Sequence, residues 1–264
     1  MSWYGIASGP EEKYFIISCH VLWREFCHFA SMAPKVYQFR FLKQGLHCTP
    51  DLLRSELQQA IDAVEGEYSA VLIGYGLCSN GVVGIRARNA KLVVMRGHDC
   101  VTFLLGSKER YREYFDTHPG TYWYSPGWID TSMQPGKERY ERVLRHYIET
   151  YGEENAEYLM QASENWMQSY SNAAYVDLGF GDGERYRAFT RACAEWLGWN
   201  CDFLEGDPQL FKDFLTGPWD DERFLVVQPG QTIAASHDER VIEAVDCRLE
   251  EGRRRSDGSD GSDG

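Results

Sequence analysis

Gly74-Tyr75-Gly76-Leu77-Cys78-Ser79-Asn80-Gly81-Val82-Val83-Gly84 follows a short apolar run, and it combines residues that seldom belong together in a core. Glycines permit a tight turn and let backbone N–H groups approach an anion. A thiol, a hydroxyl and a carboxamide in such a turn point to ligand chemistry. Gly74, Gly76 and Gly81 are therefore candidate cofactor-contacting positions, Ser79 and Asn80 are candidate substrate-holding side chains, and Cys78 is the candidate thiol. The alternative is a tight turn with a buried cysteine. One apolar run later stands Arg96-Gly97-His98-Asp99-Cys100. A histidine and a cysteine one residue apart can reach a common metal from a turn, with Asp99 orienting His98 or serving as a further ligand. Cys19 ends an earlier apolar run. Cys19, Cys78, His98 and Cys100 together have the softness and number of a zinc site, or of an iron–sulfur cluster if a thiolate such as Cys48 joins them. Unrelated buried cysteines are the competing reading, since this residue is among those most often buried.

A thiol bound to such a metal has its pKa lowered, so a thiolate nucleophile exists at neutral pH. His-X-Cys with a distant Cys is similar to the ligand pattern of zinc methyltransferases that move methyl groups from corrinoid proteins to thiols. Here Cys78 precedes the pair rather than following it, so the likeness is one of chemistry. His47 and Cys48 make a secondary candidate pair, and Cys27 reads as an inert core thiol in a helical run.

The elements that must position these residues alternate between β-type and helical runs, the pattern of α/β layering. Strands are expected over Tyr14–Cys19, Val36–Leu42, Ser69–Tyr75 and Lys91–Arg96. A helix over Asp51–Val64, with Leu52, Leu53, Leu57, Ala60 and Ile61 at helical spacing, makes a parallel crossover between the second and third strands. Parallel strands bring their carboxyl-end loops to one edge, so Cys19, Cys78, His98 and Cys100 would meet there. A helix is expected over Val101–Phe115, an aromatic loop over Pro119–Trp128, and a charged helical connector from Gly136 to Gln168. A second alternation follows: strands at Ala174–Leu178, Cys201–Leu204 and Phe224–Val227, with helices at Glu184–Leu197 and Gln209–Leu215. The expected fold is α/β, two Rossmann-like lobes with mainly parallel sheets and a metal site at the strand carboxyl ends of the first. The expected divisions are 1–130, a connector 131–170, a second lobe 171–247 and a solvated tail 248–264. That tail holds Arg253-Arg254-Arg255 and Ser-Asp-Gly repeats with nothing apolar to bury.

The quoted stretch Gly74–Gly84, then His98-Asp99-Cys100, Leu105–Tyr111 and Pro119–Tyr124, resembles a family of anaerobe and methanogen proteins catalogued as a domain of unknown function. The resemblance runs from about Tyr14 to Ile233. Members of that family often occur beside corrinoid-dependent methyltransferases. The resemblance implies one-carbon metabolism as context, with a small-molecule substrate and a corrinoid protein or methyltransferase as partners. Trp123, Tyr124, Trp128, Trp166, Trp196, Trp199 and Trp219 would suit a flat ligand such as a corrin, although such rings more usually serve the core.

A rival motif, Val176-Asp177-Leu178-Gly179-Phe180-Gly181-Asp182-Gly183, is similar to the first motif of S-adenosylmethionine-dependent methyltransferases. Little chain remains after it to complete that sheet, and Glu205 is the best candidate for a ribose partner. The working expectation is a zinc-dependent protein acting on a thiol or methyl-bearing substrate. A non-catalytic accessory with a structural metal and an adenosylmethionine-dependent enzyme are the alternatives.

Several classes are excluded. There is no Gly-X-Ser-X-Gly elbow, no Gly-Lys-Ser/Thr phosphate loop and no Cys-X3-Cys-X2-Cys run. The balance of 27 basic against 40 acidic side chains, a net charge of -13, repels phosphate backbones and anionic lipid. Nucleic acid is not an expected partner. No apolar run approaches the roughly 20 residues a spanning helix needs, so no membrane role is expected. The Met1–Gly5 start has neither basic nor apolar signal character, which makes the cytoplasm the expected compartment.

Overall fold

Ile16 and Ile17 are buried together in β1 (Lys13–Cys19), and so many apolar neighbours in one strand require cover on both faces. In the computed structural model, which describes residues 12–247, β1 lies inside a five-stranded sheet. The expected Arg253–Arg255 tail falls outside the described residues. The other strands are β2 (Val36–Leu42), β3 (Ala70–Gly74), β4 (Leu92–Met95) and β8 (Phe224–Val227), in the order β2-β1-β3-β4-β8. The first four are parallel and β8 is antiparallel to β4.

Helix α1 (Trp23–Met32) connects β1 to β2, and α2 (Pro50–Asp62) connects β2 to β3. Since β2 and β3 flank β1 on opposite sides, the chain reverses its direction of travel across the sheet. Right-handed crossovers then place α1 and α2 on opposite faces. On the α1 side, the Phe26 ring meets Phe103, Phe211 and Phe214 at 5.8, 5.1 and 5.9 Å, the last two from α9 (Gln209–Thr216). Leu53 and Leu57 are the fully buried leucines of α2. Two further strands, β9 (Gln231–Ala235) and β10 (Ile242–Asp246), pair as an antiparallel hairpin.

The described residues divide into two compact units, one of residues 12–103 and 209–247 and the other of Leu104–Pro208. The second contains a parallel sheet, β5 (Thr121–Tyr124), β6 (Asn172–Asp177) and β7 (Asn200–Glu205), in the order β5-β6-β7. Its helices are α4 (Lys108–Thr117), α5 (Pro126–Thr131), α6 (Lys137–Tyr151), α7 (Glu153–Glu164) and α8 (Gly183–Leu197). Tyr124, Ala173, Tyr175, Tyr186, Cys193 and Ala194 form its core cluster.

The architecture is thus mixed α/β with mostly parallel sheets, and three details differ from expectation. The expected boundaries at 130 and 170 give way to a discontinuous first unit, because Phe224–Val227 pairs with β4, from Leu92↔Val227 to Met95↔Phe224, and carries the chain back to the first sheet. The single helix expected over Val101–Phe115 is two, α3 (Val101–Leu105) and α4, because Ser107 begins a new helix by accepting from the Arg110 N–H at 3.0 Å. The expected aromatic loop contains strand β5, whose Thr121 and Tyr124 are buried.

Candidate functional site: thiols at the reversal point

Ser18 lies opposite Gly74 in the β1–β3 register, so Cys19 and Tyr75 stand where the two strands end. This is the edge at which diverging crossovers leave a ligand crevice in open α/β sheets. The loops that follow β3 and β4 are joined there by backbone: Leu77 N–H donates to Gly97 O and Cys78 N–H to His98 O, both at 2.8 Å. Gly76 is required by this approach. A Cβ at that position would stand 2.7 Å from Gly97 O and 2.8 Å from Asp99 N.

Three of the four expected ligands come together at this edge. Cys19 and Cys78 are buried, 6% and 8% exposed, while Cys100 keeps part of its surface open with an enclosed thiol. Cys19 acts electrostatically on both Cys78 and Cys100, and Cys78 acts on Cys100. Burial is the main cause that pushes all three thiols up. Cys78 reaches about 12, with Asp99 and Cys19 adding to burial, and Cys100 is held well above the usual range by burial, Asp99, Cys19 and Cys78. For Cys19 burial is partly opposed by the Val21 N–H. The three are therefore neutral thiols at physiological pH. The Tyr75 hydroxyl is buried, with the Cys19 thiol as its hydrogen-bonding neighbour, and its electrostatic neighbours are Cys19, Cys78 and Cys100. Burial, with those thiols, raises Tyr75 far beyond the phenol range.

Asp99 connects this cluster to a second group. Its carboxylate accepts from Val101 N–H at 2.9 Å, at the start of α3, and also acts on His47. Burial pushes His47 down and Asp99 opposes it. Asp99 thus acts electrostatically on both the thiols and a partly buried imidazole.

His98 is placed otherwise than expected. Its side chain is exposed, and the residue contributes its carbonyl to the Cys78 N–H. Ser79 and Asn80 lie exposed at the loop tip. With Cys78 they form three successive non-glycine residues in the left-handed region, at φ 46, 56 and 67. Each such residue costs about 1 kcal/mol or more. Arg54 of α2 braces the turn, donating to Asn80 O at 3.2 Å and to Val83 O. Gly74 and Gly81 are closely packed. A Cβ on Gly74 would stand 2.5 Å from Ser18 Oγ and 2.6 Å from the Phe26 ring, and one on Gly81 would stand 2.5 Å from Leu53. Among the described residues, no three His, Cys, Asp or Glu side chains stand ready to hold a metal ion. The donor chemistry of a soft-metal site is present, and its geometry is not closed.

The rival loop follows β6 in the second unit. Asp177 accepts from Gly179 N–H at 2.9 Å, and its other oxygen lies 3.5 Å from Arg187. Asp182 caps α8 by accepting from Arg185 N–H at 3.3 Å. The β5-β6-β7 order steps in one direction only, so no reversal opens a crevice beside Asp177 or Glu205. The aromatic residues suggested for a corrin are divided between the two units. Trp219 packs on Tyr14 at 5.6 Å in the first unit, and Tyr124 is core in the second.

The model of a family described as protein of unknown function (DUF1638) matches residues 41–215. The chain belongs to this family. The matched stretch holds the loops of Cys78 and Cys100 together with His47, and it begins after Cys19, short of the Tyr14–Ile233 span of the earlier resemblance. No curated protein and no solved structure matches the chain. Among the described residues, no helix is long and apolar enough to cross a membrane.

Proposed function

We propose that the edge formed by β1, β3 and β4 is a small-molecule site whose thiols hold a soft metal ion, zinc in the first instance, and that the substrate is a thiol or a methyl-bearing compound. The observation that carries this reading is the meeting of Cys19, Cys78 and Cys100, from three separate strand ends, around the buried Tyr75 hydroxyl. Three sulfurs form a donor set suited to zinc, with iron–sulfur ligation as the alternative. Bound there, the metal would supply thiolate activation at neutral pH. The chain's own residues would do the rest. Cys19, Cys78 and Cys100 would give up their protons on binding, Asp99 would orient His47, and Ser79 and Asn80 at the loop tip would contact substrate. A reducing compartment such as the cytoplasm suits this chemistry. The resemblance to proteins encoded beside corrinoid methyltransferases makes one-carbon metabolism the proposed context, with a corrinoid protein as proposed partner.

A second reading, a metal-free fold with neutral packed thiols and an accessory role, is favoured by the unclosed ligand geometry. Adenosylmethionine binding at Gly179 draws no support from the one-directional sheet. Elemental analysis and an absorption spectrum of protein purified without oxygen decide between the first two. About one zinc per chain, lost in Cys78→Ser and in Cys100→Ser, is the expected result for a site of this type. Full occupancy in both variants overturns it, and iron with a broad visible band moves the proposal to cluster chemistry.

A further inference from the structure

The second unit contains a cleft of about 700 Å³ between the segment Ile129–Arg142 and the Phe189–Cys193 face of α8. Gln134, 4% exposed, lines it. Its amide nitrogen donates to Trp128 O at 2.7 Å, to Ser132 O at 3.2 Å and to Ser132 Oγ at 2.6 Å. Two of those acceptors are carbonyls, so the amide cannot be turned over. Its oxygen is left buried with no donor. A buried acceptor without a partner calls for an N–H or O–H from outside the chain.

The charges lining the cleft narrow the donor. Lys137 pairs with Glu141 at 3.7 Å and Arg139 pairs with Glu164, so both are committed to carboxylates. Glu138 lines the cleft and is close enough to Cys193 to help raise that thiol, after burial, to about 11. Asp130, also on the lining, accepts from the Tyr186 hydroxyl at 2.9 Å. The lining carboxylates are Asp130, Glu138 and Glu141, the last paired with Lys137, and Arg142 stands exposed among the lining residues. The chain's net charge of -13 would draw cations toward these carboxylates.

We infer that this cleft binds a small organic cation rich in N–H donors, an amine or guanidinium compound, through Gln134 Oε1 and the carboxylate of Glu138. The site lies apart from the thiol cluster in sequence and in unit, and it stands whether or not the thiols hold metal. Calorimetric titration of the full chain with agmatine, which carries both groups, is the direct test. Saturable binding is expected, weakened about tenfold or more by Glu138→Gln and by Gln134→Leu, the usual effect of losing a charge-assisted or buried hydrogen bond. Binding should be unchanged in Cys78→Ser. If Gln134→Leu fails to fold, Glu138→Gln carries the test alone. Agmatine heat absent, or present and indifferent to Glu138→Gln, overturns the inference. Binding of glycerol 3-phosphate in place of agmatine also overturns it, and would mark the start of α6 as an anion site.

Discussion

Two glycine-bearing loops, Gly74–Gly84 after β3 and Leu178–Gly183 after β6, look alike in sequence and differ in what surrounds them. The first stands where the sheet changes direction, between β1 and its neighbours, and it gathers thiols from three strand ends. The second stands in a sheet that steps steadily from β5 to β6 to β7, and its carboxylate, Asp177, is occupied by its own turn and by Arg187. The two loops are thus separated by the order of the strands beneath them. The motif alone does not separate them.

The largest expected effect separates the two loops by their glycines. Gly76→Ala puts a methyl group 2.7 Å from Gly97 O and 2.8 Å from Asp99 N, backbone atoms that cannot move without parting the two loops. A loss of about 3 kcal/mol is expected, at the upper end for overpacking. Gly179→Ala meets nothing within 4 Å and pays only for its φ of +76, about 1 kcal/mol. Urea unfolding of both variants checks the difference, and equal losses would erase the distinction between a crossing of loops and an open turn.

Zinc addition sharpens the comparison at the level of chemistry. Thiols that are neutral before binding must release protons, about three per zinc for Cys19, Cys78 and Cys100 near pH 8. Cys78→Ser should remove about one of them and weaken binding steeply, whereas Cys193→Ser, in the second unit, should leave the stoichiometry unchanged. Titration in weak buffer with a pH indicator reads both. A release that survives Cys78→Ser intact would move the site elsewhere.

How much of this was legible in the sequence follows from what is local. Val36–Leu42 and Phe224–Val227 have the expected bounds because β-branched and aromatic runs mark strands by themselves. Which sheet Phe224–Val227 joins is a long-range choice, and a four-residue run carries no mark of it. Cys19, Cys78 and Cys100 were legible because each ends or follows an apolar run and parallel strands share an edge. Spacing places His98 beside the thiols, whereas its carbonyl accepts from the Cys78 N–H and its side chain is exposed. Tyr75 was missed, although a phenol between two glycines at a buried strand end was the available signal. His47 was seen as secondary, and its link to Asp99 depends on a turn that spacing cannot supply.

Alkaline pH should distinguish the units more gently. The thiols of the first unit have folded pKa values above the roughly 8.5 of a free thiol, so the unfolded chain loses those protons first. The stability gained by keeping them protonated is fully present below about pH 8.5 and is lost as pH rises toward about 12 for Cys78. Metal-free protein should therefore show a falling urea midpoint between about pH 8 and 10, and Cys78→Ser should flatten that slope. Cys193, raised to about 11, should give the same flattening over this range in Cys193→Ser, and the two variants should part only above about pH 11, where folded Cys193 ionises before folded Cys78. A slope unchanged by Cys78→Ser would show that the fold does not hold this thiol protonated.

The smallest effect concerns the strained turn itself. Cys78, Ser79 and Asn80 hold left-handed backbone without glycine, and Ser79 is exposed. Ser79→Gly removes about 1 kcal/mol of strain and gives back about half of that through the freer unfolded chain. A net gain of about 0.5 kcal/mol, a rise in Tm of about 1–2 °C, is expected by scanning calorimetry. A serine kept where glycine would be more stable implies that its hydroxyl is wanted at the crevice, so the same variant should bind substrate less well while holding zinc normally. The glycine loop after β6 offers the contrast, since Gly179 and Gly181 already occupy its left-handed positions and leave no such strain to release. A destabilised Ser79→Gly would instead give the hydroxyl a structural duty within the turn, and the strain would then be a cost of folding the loop with no part in binding.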